Sequence, residues 1–317
     1  MNKRQFLKGA ATIAASTMLP STMHGKSQPI PKTYTYKTAG GCEIKANVYG
    51  ADLHRIKPAI VWIHGGALIF GSRTELPDWL DPDQRFVVVS IDYRLAPETK
   101  LRFIIEDLQD AYRWVHQQGP RLFRLDSERV AVAGLSAGGY LTLMTGFSVN
   151  PRPKALLTLS GYGDITSSWY SRPSVFYLGQ ATISKEEALA STRARCVSAA
   201  EEGEHRERFY FYCRQQGIWP KEVAGHDPDT EPNWFKPYCP VRNVTAQYPP
   251  TVLIHGTADT DVPYDESVKM DEKLSEVKVQ HEFLRVRGGS HCLDDDPPSV
   301  RTPVFQRAMD FVRAQIG

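Results

Sequence analysis

The stretch VAVAGLSAGGYL, residues 130–141, sets Ser136 among small residues where an apolar run gives way to a helix-like one. Residues 134–138 read G-x-S-x-G, with a strand pattern before and a helix pattern after. A turn that sharp forces the serine into a strained backbone conformation and lifts its hydroxyl clear of the sheet, and glycines leave room for close chain approach. The N–H of Ala137 then falls at a helix N-terminus. A hydroxyl is a weak nucleophile until a base takes its proton, so attack on a carbonyl carbon requires a histidine.

The chain has nine histidines, and position discriminates among them. His64 precedes glycines after an early strand, where it pins a loop. His255 lies within a strand end, and His205 and His226 sit in an irregular middle region. His291, in RVRGGSHCL, occupies a glycine-rich loop between the last strand and the closing helix, where a base that follows Ser136 in chain order belongs. The base needs a carboxylate to fix its tautomer and stabilise the imidazolium. LIHGTADTDVPYDES offers three just beyond a strand. Asp259 is chosen as nearest the strand end, Asp261 is its rival, and Asp265 suits a helix N-cap. WIHGGALIFGS supplies the fourth element: small residues after a buried strand let backbone N–H groups point into open space, as a developing oxyanion requires.

These side chains need a sheet to hold them. Residues 33–37 and 42–49 alternate like half-buried strands, whereas AIVWIH (59–64) and FVVVSIDY (86–93) are continuous β-branched runs suited to strands covered on both faces. Residues 104–118 carry helical spacing through Ile104, Leu108, Ala111 and Val115. A strand at 129–134, a helix from Ser136 to about Phe147 and a strand at 155–161 follow. Order resumes with a strand at 250–256, a helix near 265–277, a strand at 281–288 and a helix at 302–315. Alternation of this kind predicts an α/β fold with a mostly parallel central sheet and helices on both faces. The irregular stretch at about 165–247 reads as an insertion at the strand ends, a cap over the site. Its rings, Trp169, Tyr170, Phe176, Tyr177, Trp219, Trp234, Phe235 and the run Phe209 to Tyr212, are expected to pack the cap onto the body; a stacking surface for an aromatic acyl group or a sugar is the alternative.

The 317 residues carry a formal net charge of +2, which gives no electrostatic reason to expect nucleic acid or an anionic membrane as partner. Residues 1–28 open basic, run apolar and turn small and polar, as an export signal does, leaving 29–317 as the catalytic domain without a stable membrane anchor. NKRQFLKG is similar to a twin-arginine signal with Lys3 in place of the first arginine, and an ordinary secretory leader is the other reading; either predicts a periplasmic or secreted protein. Five cysteines without a C-x-x-C pair make a zinc or redox site unexpected. If a disulfide forms, Cys196 with Cys213 is the favoured pair; free buried thiols are the alternative. LDDDPPSV (293–300) reads as a solvated loop, not a metal site.

On HGG (64–66), DYRLAPE (92–98), GLSAGG (134–139), HGTADTDVP (255–263) and GGSH (288–291), the chain resembles the α/β-hydrolases over roughly residues 40–315. It is similar in pattern to hormone-sensitive-lipase-like esterases and the related short carbohydrate and feruloyl esterases. The resemblance implies Ser136 as nucleophile, Asp259 as triad acid and His291 as base. It implies backbone donors from Gly66, Ala67 and Ala137, with Gly65 shaping the loop, and neither cofactor nor metal. Ala67 stands where the lipase-like family usually has a third glycine, so a tighter acyl pocket and short acyl groups are expected. HGTADTDVP and GGSHC lean towards the prolyl-oligopeptidases, whose propeller domain this chain has no room for. The expected activity is carboxylic ester hydrolysis on a small-molecule substrate. A prolyl-type peptidase or aminoacyl amidase is the first competitor, and a non-catalytic binding protein on the same scaffold the second.

Overall fold

The computed structural model describes residues 30–317 apart from 53, 81–84, 194 and 201–203; the expected export signal lies outside the described residues. Strands β1 (Lys32–Ala39) and β2 (Cys42–Tyr49) form a hairpin, and β3 (Lys57–Ile63), β4 (Val87–Ile91), β5 (Leu125–Leu135), β6 (Leu156–Leu159), β7 (Thr251–Gly256) and β8 (His281–Val286) complete an eight-stranded sheet. Its order is β1-β2-β4-β3-β5-β6-β7-β8, antiparallel at β1–β2 and β2–β4 and parallel elsewhere.

The β-branched runs sit where two-sided burial demands them: every residue of β3, β4, β6 and β7 is buried, while edge strand β1 is exposed or half-buried. Successive side chains on a strand point to opposite faces. Val61, Ile63, Val87 and Val89 accordingly pack with Ile104, Leu108, Ala111 and Val115 of helix α1 (Leu101–Phe123) and with Leu141 of α2 (Ala137–Ser148). Ile60, Trp62 and Val88 pack on the other face with Phe305, Met309 and Val312 of the closing helix, Pro298–Ile316. That helix starts earlier than its apolar spacing suggests because proline at the first helical position gives up only an N–H that would have had no partner.

Between β6 and β7 lie α3 (Ser168–Ser171), α4 (Val175–Leu178), α5 (Lys185–Ala190), α6 (Glu207–Gln216) and α7 (Trp219–Ala224); α8 (Asp265–Glu276) follows β7, and the closing helix is α9. Two expectations need correction. Asp265 is the first residue of α8, and the position before it is held by Tyr264 with no side-chain cap, so Asp265 serves the helix by charge in its first turn rather than by capping. The disulfide joins Cys196 to Cys42, and Cys213 is a free, buried thiol inside α6. The hairpin turn delivers Cys42 beside Cys196, a long-range meeting that spacing along the chain does not encode.

That bridge spans 154 residues of sequence. Cross-links over long loops stabilise mainly by restricting the unfolded chain, by roughly 2–5 kcal/mol. Cys42→Ser is therefore expected to lower the unfolding free energy by that amount in a urea titration. Unchanged stability would show that the link contributes nothing.

Candidate active site

Ser136 sits at the join of β5 and α2 with φ 52° and ψ −118°, a strained conformation for a residue with a side chain. The chain turns this tightly because residue 138 has no Cβ: one built there would stand 2.0 Å from the Ile63 carbonyl oxygen at the end of β3. The consecutive order of the parallel strands β5, β6, β7 and β8 then brings three loops together. Ser136 N–H donates to Leu159 O at 2.8 Å, Ser160 N–H to Ile254 O at 2.8 Å, and Cys292 N–H to Ser160 Oγ at 3.1 Å. The loop bearing His291 is thus tied across β7 to the end of β6, beside the serine turn. Cys292 and Leu293 both have positive φ, which folds this loop back on itself, and Asp296 accepts from the Ser290 N–H and hydroxyl at 2.8 Å. Within LDDDPPSV, buried Leu293 and half-buried Asp296 belong to the His291 mount, while the other residues are exposed, as expected of a solvated segment. Among the described residues, no group of His, Cys, Asp and Glu side chains is arranged to hold a metal ion.

The two aspartates face different nitrogens of His291. His291 Nδ1 meets Asp259 Oδ2 at 2.7 Å, while His291 Nε2 lies 3.7 Å from Asp261 Oδ2. Asp259 Oδ1 accepts the N–H groups of Asp261 and Val262, each at 2.9 Å, so this carboxylate is fixed by its own loop. His255, assigned no part by sequence, is the third support. Its Nε2 donates to Asp259 Oδ2 and to Val262 O, both at 3.1 Å, while Nδ1 accepts from the Ser267 hydroxyl at 2.7 Å. Burial alone would raise the Asp259 pKa, but the hydrogen bonds from His255 and His291 hold it well below the usual carboxylate range. For His291, burial works against protonation, yet the Cys292 sulfur and the Asp259 carboxylate outweigh it, and its pKa lies well above the ordinary imidazole value. With Nδ1–H committed to Asp259, Nε2 is the nitrogen free to accept a proton. Among the described residues no hydrogen bond joins Ser136 Oγ to His291, although their loops meet at the same rim of the sheet.

The glycine loop after β3 packs against the serine turn. A Cβ on Gly65 would lie 3.4 Å from Ser136 Cβ and 2.5 Å from Leu135 Cδ1. Gly66 has φ +91°, where a side chain would run into the Phe70 carbonyl at 2.1 Å, and its own carbonyl accepts from Ile69 and Phe70 N–H. Ala67 follows at φ 55°, its carbonyl accepting from Trp219 Nε1 at 3.0 Å. Among the described residues the N–H groups of Gly66, Ala67 and Ala137 donate to no backbone carbonyl. As the first residue of α2, Ala137 has no acceptor within its helix. His64 takes the pinning role expected of it: it stacks on Tyr93 with ring centroids 4.4 Å apart and bonds Gly65 O through Nδ1 at 2.8 Å. Burial pushes its pKa down to about 4, so it is neutral near pH 7.

The segment before β7 locks onto this frame through two buried arginines that sequence reading passed over. Arg206 binds Glu98 at 2.7 and 2.9 Å and the carbonyls of Ile69 and Ala96 at 2.7 and 2.8 Å. Arg214 binds Asp261. Most of the rings pack as expected: Tyr170, Phe209, Tyr210, Trp219 and Phe235 are buried, whereas Phe176 is exposed. Trp169 differs, because with Ser168, Ser174, Arg214, Asp259 and Asp261 it lines a cavity of about 290 Å³ beside the aspartate loop.

The chain as a whole is similar to known proteins. The family described by the alpha/beta hydrolase fold matches residues 60–294, and the chain belongs to it. The chain is similar to the non-reducing polyketide synthase Preu6 of Preussia isomera, at 27% identity over 83% of this chain and 14% of that protein. It is also similar to the esterase LipC of Mycobacterium tuberculosis, at 27% identity over 75% of this chain and 52% of that one. The chain thus spans about a seventh of the polyketide synthase and about half of LipC. The crystal structure of an alpha/beta hydrolase superfamily protein from Enterococcus faecalis superposes with a TM-score of 0.70 at 22% identity, covering 90% of this chain and 99% of that one.

Proposed function

We propose that this protein is a serine carboxylic ester hydrolase, with Ser136 as nucleophile, His291 as base and Asp259 as the acid that orients it. The observation that carries the reading is the 2.7 Å bond between Asp259 and His291 Nδ1, made at the same sheet rim as the strained Ser136 turn. Catalytic contacts are often long before substrate binds, and the Ser136–His291 bond closes in the substrate complex. Ser136 Oγ attacks the ester carbonyl carbon as its proton passes to His291 Nε2. The N–H groups of Gly66, Ala67 and Ala137 hold the tetrahedral oxyanion, with Gly65 shaping their loop. The proton then goes to the departing alcohol, leaving an acyl-serine. Water, deprotonated by the same histidine, attacks that acyl carbon and releases the acid. Residues 165–247 serve as a cap, Ala67 favours short acyl groups, and the leader directs the protein out of the cytoplasm.

Similarity to an esterase supports ester over amide substrates, and HGTADTDVP is the feature that favours the peptidase reading. Parallel assays decide. An aryl acetate is expected to turn over faster than a prolyl peptide amide, and the reverse order would overturn the proposal. The elevated His291 pKa sets the pH profile. The base works only when neutral, so kcat/KM is expected to fall as pH drops, with an acid limb above the ordinary imidazole value of about 6.5. An acid limb below that value would contradict the proposed environment of the base.

A further inference from the structure

The His291 imidazole stands between two carboxylates, and the proposed chemistry uses one. Asp259 faces Nδ1; Asp261 Oδ2 faces Nε2, the nitrogen that must take the serine proton, from 3.7 Å. A bare carboxylate there would draw a proton onto Nε2 and hold it. Asp261 is not bare. Its Oδ1 accepts from Arg214 Nη1 at 2.6 Å, from the Tyr210 hydroxyl at 2.5 Å and from the Tyr177 hydroxyl at 3.0 Å. Its backbone carbonyl takes both Arg214 Nη1 and Nη2 at 3.2 Å. Arg214 itself is 2% exposed and boxed by the rings of Trp169, Tyr170, Tyr177 and Tyr210, with its carbon Cζ 4.9 to 5.6 Å from their centroids. A cation this enclosed is little screened by solvent, so it acts strongly on Asp261, its carboxylate partner among the described residues.

We infer that Arg214 is a positioning residue for the His291 base: reaching from α6, it cancels the charge of Asp261 and holds that carboxylate back from Nε2. This rests on the reading of His291 as the base. The groups facing His291 are Asp259 and Asp261 from the loop after β7, Cys292 beside it and Asp294 beyond. Those facing Asp261 are Arg214 and the hydroxyls of Tyr162, Tyr170, Tyr177 and Tyr210. Arg214 is the cation of this set, and the others are acids or neutral hydroxyls and a thiol.

The test is signed. In Arg214→Met, Asp261 loses its counter-charge, and the His291 pKa, read by imidazole NMR, is expected to rise by roughly 1–3 units. In Asp261→Asn, Arg214 loses its carboxylate, and the same pKa is expected to fall. The double variant removes both charges and is expected to lie close to the parent. The acid limb of kcat/KM should move in the same directions. Shifts of the same sign in the two single variants, or no shift in a folded Arg214→Met, would overturn the inference. If Arg214→Met does not fold, Asp261→Asn and the charge-free double variant still decide it: an unmoved pKa in Asp261→Asn sinks it. The NMR reading needs no turnover. Opposed shifts in a protein that hydrolyses no ester would sink the proposed reaction and leave the role of Arg214 standing; full ester turnover with unmoved pKa values would do the opposite.

Discussion

Ser136→Ala is expected to reduce kcat by roughly 10⁴–10⁶-fold, because loss of the nucleophile leaves only oxyanion binding and substrate positioning to act. The variant isolates chemistry from folding. Alanine at φ 52° is no more strained than serine, and among the described residues the Ser136 hydroxyl makes no hydrogen bond, so the melting temperature should be unchanged. A fluorophosphonate probe, which bonds covalently to an activated serine, should label the parent and leave the variant blank. Asp259→Asn should also be severe, since an amide cannot hold the His291 Nδ1–H tautomer. A labelled or active Ser136→Ala would place the nucleophile elsewhere.

The second large effect concerns stability. Arg206 is fully buried, and its four side-chain hydrogen bonds among the described residues all fall on the body of the protein, including both oxygens of Glu98. Arg206→Ala would strand the Glu98 carboxylate in a site built for a cation, which costs about 3–5 kcal/mol for a buried pair. Urea titration should record that loss, and Glu98→Gln combined with Arg206→Met should recover part of it because no charge is left alone. Burial works to raise the Glu98 pKa, but Arg206 and the Arg193 N–H hold it below the ordinary glutamate range. A carboxylate held low stabilises the fold above its unfolded-state pKa and loses that contribution as pH falls. The difference between parent and Arg206→Ala should therefore narrow in acid. A loss under 1 kcal/mol would mean that water replaces the guanidinium.

Much of this was legible in the sequence, for physical reasons. Buried parallel strands must be apolar throughout, so AIVWIH and FVVVSIDY announced β3 and β4. A strand–Ser–helix turn tolerates only the smallest residues, so Gly134 and Gly138 marked the site. Asp259 and His291 followed from their places after the last two strands. What stayed hidden depends on contacts between distant segments. Arg206 and Arg214 sit in a charged stretch that reads as a solvated helix face, and only folding reveals that each meets a carboxylate more than 40 residues away in the chain. His255 was masked by the strand that contains it. The Cys42 partner of Cys196 became apparent only when the β1–β2 hairpin came to rest beside the inserted segment, whereas the sequence alone had favoured Cys213.

The Cys42–Cys196 bond encloses Ser136 within its loop and leaves Asp259 and His291 outside it. A protease that nicks the backbone between 137 and 195 would put the hydroxyl on one fragment and the imidazole on the other, yet the two would stay bolted together. Such a clipped molecule would migrate as one species until a reductant is added, and then as two.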